Sequence, residues 1–259
     1  MNYSWKSSVA LLAATLVTPV TFAEDEASTW GLGVGGIASS DPYAGRETRY
    51  VPLPIITYDS KRFFFRGIEG GMHLYDDDWL KIDALIKGDF SGIDAKDFGR
   101  QELANNGINR DLLTDRDDTA QAGFKISLEG QYGEFAVEAG VDVLDASGGF
   151  EVKAEYGYPI NFGSRLTLTP TVGVNWLSAD TANYYYGTLD EEVARGVVRY
   201  RPGAAAIPEV GVELKYNFSG KWLLMSNISY QSLPSKLSDS PLLDSDKTAR
   251  AFIGVLRVF

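Results

Sequence analysis

Cysteine is absent from the 259 residues, which excludes disulfide staples, thiol catalysis and thiolate metal sites together. Histidine occurs once, at His73, and methionine three times, so imidazole-rich or soft-donor metal centres have little to be built from. Basic side chains are outnumbered, 24 Lys and Arg against 35 Asp and Glu, and the formal charge of −11 has the wrong sign for binding phosphate backbones. Beyond the N-terminus no apolar run approaches the roughly 20 residues that a membrane-crossing helix needs. These gaps predict no cofactor, no metal and no nucleic-acid partner. The chain is then either soluble or crosses a membrane with strands.

The first 23 residues read as an address. Lys6 is their only charge, the apolar run Val9 to Val17 follows, and Thr21-Phe22-Ala23 forms a small-x-small cleavage site before Glu24-Asp25-Glu26. The run is too short to span a bilayer as a helix. Residues 1–23 are therefore expected to be a cleaved signal peptide, cut near Ala23, and residues 24–259 one β domain. Without the leader the balance is 23 basic to 35 acidic, a formal charge of −12.

What the mature chain does have is alternation with a period of two. Ala120, Ala122, Phe124, Ile126 and Leu128 alternate with Gln121, Lys125, Ser127 and Glu129. Phe135 to Val143, Phe150 to Tyr158, Leu166 to Trp176 and Val210 to Phe218 repeat the pattern. Successive strand side chains point to opposite faces, so each run is a strand with one apolar and one polar side. Candidate strands fall at 30–38, 50–58, 62–75, 79–90, 119–131, 135–144, 149–158, 165–178, 207–218, 221–232 and 248–259. Tyr132-Gly133-Glu134-Phe135, with Gly first in a two-residue loop, and Phe218-Ser219-Gly220-Lys221-Trp222 read as tight returns. Longer polar stretches occupy 39–48, 92–118, 179–204 and 235–247. Tight turns at one end and long loops at the other are the pattern of an outer-membrane barrel.

A β-sandwich has shorter strands, about 5–6 residues, whereas these approach the roughly 9–11 of a tilted membrane strand. Aromatics gather near the run ends, where an interfacial girdle would put them. Phe259 closes the chain after an alternating strand, as in barrels assembled into the outer membrane. Arg257 departs from that pattern, and its long stem can snorkel to the interface. The expected fold is all-β: a closed antiparallel transmembrane barrel of 10–12 strands, with twelve preferred, since single-chain bacterial barrels have even counts. The irregular region 30–75 is where the odd count arises.

The polar faces nominate lumen charges: Lys125, Glu129, Glu138, Asp142, Glu151, Lys153, Glu155, Glu209, Glu213 and Lys215. Inward charge is costly without partners or water. Pairing across a 133–134 turn sets Lys125 opposite Asp142. A salt-bridged, filled interior is one reading, and an open pore with a cation preference is the other. His73 lacks a nucleophile motif such as G-x-S-x-G, so a catalytic role is disfavoured. Gly31, Gly33 and Gly36 match G-x-G-x-x-G but open no helix, so they are read as packing residues. The charged run Arg110 to Asp118 fits no calcium spacing and is read as a solvated loop, with divalent cations or lipopolysaccharide headgroups as the ligands it would take. Tyr184, Tyr185 and Tyr186 are read as a loop anchor over the barrel mouth, ahead of a partner-binding patch.

Several patterns in order, Trp30-x-Leu32-Gly33, Tyr43-x-Gly45, Pro52-Leu53-Pro54 with Tyr58, and Arg62-Phe63-Phe64, resemble the MipA/OmpV family. Tyr184-Tyr185-Tyr186-Gly187, Tyr200-x-Pro202-Gly203, Ser240-Pro241-Leu242 and Phe259 complete the set. The resemblance implies an outer-membrane barrel without catalytic residues. It implies a scaffold that brings a murein hydrolase together with a peptidoglycan synthase, in contact with outer-membrane lipid and lipopolysaccharide. A small cation-preferring or osmotically responsive channel is the alternative, and a barrel hydrolase a distant third.

Overall fold

A computed structural model describes residues 28–259, so the expected leader lies outside the described residues. Thirteen strands form one sheet. They are β1 Thr29–Ser40, β2 Arg49–Asp59, β3 Phe63–Arg66, β4 Glu69–Asp76, β5 Leu80–Asp89, β6 Thr119–Gly130 and β7 Gly133–Asp142. Then come β8 Phe150–Gly157, β9 Ile160–Phe162, β10 Leu166–Leu177, β11 Ala205–Ser219, β12 Trp222–Ser232 and β13 Lys247–Val258. Every pairing is antiparallel, and β13 closes the ring on β1, with Gly31 opposite Val258 and Ser40 opposite Ala249. β9 is the supernumerary strand. It continues the line of β8 beyond Pro159, and both pair with β10. Proline lacks the N–H that an unbroken strand would donate there. The barrel therefore has twelve strands.

The alternation sets the faces. Phe124, Ile126 and Leu128 are exposed on the outside, whereas Lys125, Ser127 and Glu129, which alternate with them, turn inward and are half-buried. Outward apolar side chains need a hydrocarbon surround, and hydrogen bonding around a closed ring leaves few backbone groups unpaired. Toward the short-turn end Trp30 meets Tyr58 at 4.6 Å, and Tyr216, Phe218 and Trp222 stack in series 6.3 Å apart. Arg257 lies between Trp222 and Phe259, its guanidinium 4.7 Å from the Phe259 ring, which accommodates the charge at the interface. Ile126→Lys is expected to destabilise the barrel by about 2–4 kcal/mol if position 126 lies near the midplane. Guanidinium-driven unfolding in vesicles measures this, with Ser127→Thr, on the inner face, as the near-neutral comparison.

Two stretches differ from the sequence reading. Residues 62–75 are a hairpin, β3 and β4, turning at Gly67-Ile68 with Arg66 opposite Glu69. Gly67 has φ +67°, which suits the first position of a primed two-residue turn. The β6–β7 return uses Gln131-Tyr132, with Gly130 opposite Gly133, so Gly133 follows the loop instead of opening it. That moves the turn by two residues and the pairing by four. Lys125 stands opposite Glu138, and Asp142 opposite Gln121. An even shift leaves every side chain on its predicted face.

The deepest core lies in the loops. Phe98, Ile93, Leu103, Leu237, Leu242 and Glu192 are the largest fully buried side chains, and all belong to loop segments. Tyr43 and Ala44 from the first long loop, Ile108 and Leu113 from the 90–118 loop, and Ala182 and Val197 from the 178–204 loop join them in one cluster. The loops thus fold together into a cap with a core of its own.

Candidate functional site: the lumen and its loop cap

Inward charges are mostly paired. Lys81 bonds Glu129 at 3.0 Å, Lys87 bonds Glu138, and Lys153 reaches Glu155 at 3.0 Å and Glu209 at 3.2 Å. Gln231 donates to Glu209 at 2.6 Å, and Asn175 donates to Glu151 at 3.2 Å. Lys125 lies in register between Asp83 and Glu138. Glu213 is buried with one carboxylate oxygen unbonded, one position along the inner face of β11 from Lys215. Asp142 is not a lumen charge. Its carboxylate accepts from the backbone N–H of Leu144, Asp145, Ser147 and Gly148 and from the Thr119 hydroxyl, organising the 143–149 loop.

The opposite wall is apolar. Ile55, Leu223, Met225 and Leu256 are buried inside the barrel, with Leu53, Phe252 and Val258 packed against them. Two glycines of the dinucleotide-like motif, Gly31 and Gly33, serve this wall. A Cβ on Gly33 would lie 2.1 Å from the Val255 carbonyl oxygen, so only glycine permits the β1–β13 approach.

His73 donates or accepts at Nδ1 with Asp83 at 2.7 Å, and its Nε2 lies 3.5 Å from Asp59, which Arg66 bonds at 2.8 Å. Phe64 packs on its ring at 5.1 Å. The cluster ties β2, β3, β4 and β5 together, and no serine or threonine hydroxyl bonds the imidazole among the described residues.

The cap is built around an ion pair that the sequence reading missed. Arg116 and Glu192 have side-chain exposures of 1% and 0%. The guanidinium engages both carboxylate oxygens, at 2.5 and 3.0 Å, and donates to the carbonyls of Thr114, Tyr184 and Gly187. Glu192 also accepts from the backbone N–H of Thr114 and Leu189. A buried pair is tolerable when its remaining donors and acceptors are satisfied, as here. Arg116 sits inside the run read as solvated, and nothing in Asp190-Glu191-Glu192 marks which carboxylate is buried.

The three tyrosines lie in the helix Ala179–Tyr186 over the mouth. The Tyr184 hydroxyl accepts from Asp117 N–H at 2.8 Å, the Tyr185 carbonyl accepts from the Tyr43 hydroxyl at 3.2 Å, and Tyr186 stacks on Tyr43 at 6.2 Å. Burial pushes the Tyr43 and Tyr185 phenols well up and that of Tyr186 to about 12, so all three stay neutral. Beneath them lies a cavity of about 120 Å³, lined from above by Tyr43, Tyr185 and Tyr186 and from the barrel by Lys87, Gln121, Glu138, Glu151, Lys153, Asn175, Glu209 and Arg250. The Gln121 and Asn175 carbonyl oxygens have no hydrogen-bond partner.

A family model described as "MltA-interacting protein MipA" matches residues 32–259. The chain is 30% identical to the "MltA-interacting protein" of Escherichia coli (strain K12), over 98% of this chain and 99% of that one. It is 28% identical to the "Putative outer membrane protein YiaT" of the same organism, over 96% and 97%. Among solved structures a NanC porin aligns over 86% of this chain and 98% of its own, with a TM-score of 0.42 and 11% identity. The curated relatives carry the names of an interaction protein and of outer-membrane proteins, not of enzymes. The twelve-stranded barrel and the match over nearly the whole described chain place this protein in the outer membrane and make it a member of the MltA-interacting protein MipA family.

Proposed function

We propose that the protein is a non-enzymatic scaffold in envelope maintenance, holding a murein hydrolase, and with it a peptidoglycan synthase, at the inner face of the outer membrane. The observation that carries this reading is the cap. Four long loops share one core, and the fully satisfied Arg116–Glu192 pair joins two of them over the mouth. A mouth filled in this way, above a lumen of paired charges, suits a platform better than a conduit. The murein hydrolase comes from the name of the relative, and the synthase from the family resemblance. Tyr184 to Tyr186 serve as the loop anchor, and the inward charges listed above, Asp142 aside, as the filling. Membrane lipid surrounds the apolar outer face, with lipopolysaccharide headgroups at the loop rim.

Crosslinking intact envelopes and purifying the tagged chain is expected to enrich a lytic transglycosylase. Enrichment no greater than that of an unrelated barrel of equal abundance would sink the scaffold. The cavity favours one second reading, a small cation-preferring channel, since its acidic groups outnumber its basic ones.

A further inference from the structure

The wall between β2 and β5 is incomplete in the half nearer the long loops. β3 is 4 residues long and β4 is 8, against 11 for β2 and 10 for β5. β2 pairs with β3 only from Thr57 to Asp59, with one further bond from Gly67 N–H to the Ile56 carbonyl at 3.0 Å. Residues 50–55 of β2, about 20 Å of strand at roughly 3.4 Å per residue, have no strand partner on that side among the described residues. The tip of the β3–β4 hairpin is the floor of this gap, and its far side is the end of β5, where Gly88 N–H bonds the Ile68 carbonyl at 3.1 Å.

The sequence of β2 fits an edge left open in lipid. Backbone groups alternate sides along an antiparallel strand, so the bond at Ile56 assigns Pro54 and Pro52 to the open edge. Neither has an N–H to leave unsatisfied in hydrocarbon. The same prolines prevent another strand from adding to this edge. The outward side chains bordering the gap are apolar, with Tyr50, Phe65 and Ile86 all exposed. Inside, the cavity touches the rim itself at Ile68, Gly88, Asp89 and Ser91. The apolar lumen wall begins on β2, at Leu53 and Ile55, and runs to Phe252 and Leu256.

We infer that the gap is a lateral window through which an acyl chain of an outer-leaflet lipid enters the barrel and lies against the apolar wall. A strand is excluded by the prolines, and hydrocarbon is what faces this part of the wall. The inward face that the chain meets is apolar on the β2 side of the gap, whereas the β5 side carries Lys87 and Asp89, so the chain lies toward β2 and β13.

Photo-crosslinking in dioleoylphosphatidylcholine vesicles tests the window. p-Benzoylphenylalanine replaces Leu53, which faces inward beside the gap, and separately Thr171, which faces inward behind the fully paired wall of β10. Val51→p-benzoylphenylalanine serves as a second gap position, and heat-modifiable migration selects folded protein. Irradiation is expected to give a phosphatidylcholine adduct at 53 or 51 and none above background at 171. Lengthening the hairpin by alternating residues inserted between Gly67 and Ile68, so that it fills the gap, is expected to abolish the adduct. Folded protein without lipid adduct at either gap position, equal labelling at 171, labelling that survives the insertion, or a covalent dimer in place of a lipid adduct overturns the inference.

Discussion

Replacing Arg116 with methionine is expected to destabilise the loop cap by about 3–5 kcal/mol, the range for removing one partner of a buried ion pair. The loss is large because Glu192, with a side-chain exposure of 0%, would lose its countercharge, and the carbonyls of Thr114, Tyr184 and Gly187 would lose their donor. The barrel below rests on its own ladder, so the cap opens while the ring persists. Limited proteolysis should then cut within 90–118 and 178–204, while the strands stay protected and the protein keeps its heat-modifiable migration. Replacing Arg116 and Glu192 together by methionine recovers only part of the loss. The Thr114 and Leu189 N–H groups that Glu192 satisfies are then left without an acceptor. Equal protease resistance of the single variant and the parent would remove the pair from the account.

Phe98→Ala is the second change with a large expected effect, about 3–5 kcal/mol, because it leaves a cavity at the centre of the same core. Phe98 is 2% exposed, and its ring meets Tyr43 edge-on at 5.4 Å. Tyr43 in turn carries Tyr186, so the cavity would loosen the roof of the lumen as well as the 90–118 loop. Hydrogen exchange should quicken at Leu103, Ile108 and Tyr185 and stay unchanged in β11 to β13. Phe124→Ala, which trims a lipid-facing ring of similar size, should leave exchange in the cap untouched. An effect confined to the barrel would contradict the separate loop core.

How far the chain could be read ahead of its structure follows from what carries each signal. Strands β1, β2, β5 to β8 and β10 to β13 were legible because lipid outside and polar lumen inside impose a period of two. The β3–β4 hairpin was not, because Phe63-Phe64-Phe65 is apolar at every position and shows no period of its own, and only Met72-His73-Leu74 alternates. Gly67 is the lone sign of the turn, in a segment with other glycines at 70 and 71. The Lys125 partner was misplaced because Gly133 offered a turn two residues late. The cap was illegible for a different reason. Phe98, Leu103, Ile108 and Leu113 follow neither the period of a strand nor that of a helix, and their burial depends on contacts with loops far away in sequence. Arg116 and Glu192 show the same limit for charge, since composition cannot tell a solvated carboxylate from one that closes a core.

Whether the cap and the paired lumen close the barrel is the central claim, and planar-bilayer conductance tests it most directly. The purified chain should give no reproducible single-channel steps, whereas a variant with residues 94–114 replaced by a short glycine-serine linker, which removes Phe98 and Leu103 from the core, should give steps. Regular cation-selective steps from the intact chain, at the same conductance as the loop-replaced variant, would contradict the account and make the protein a channel.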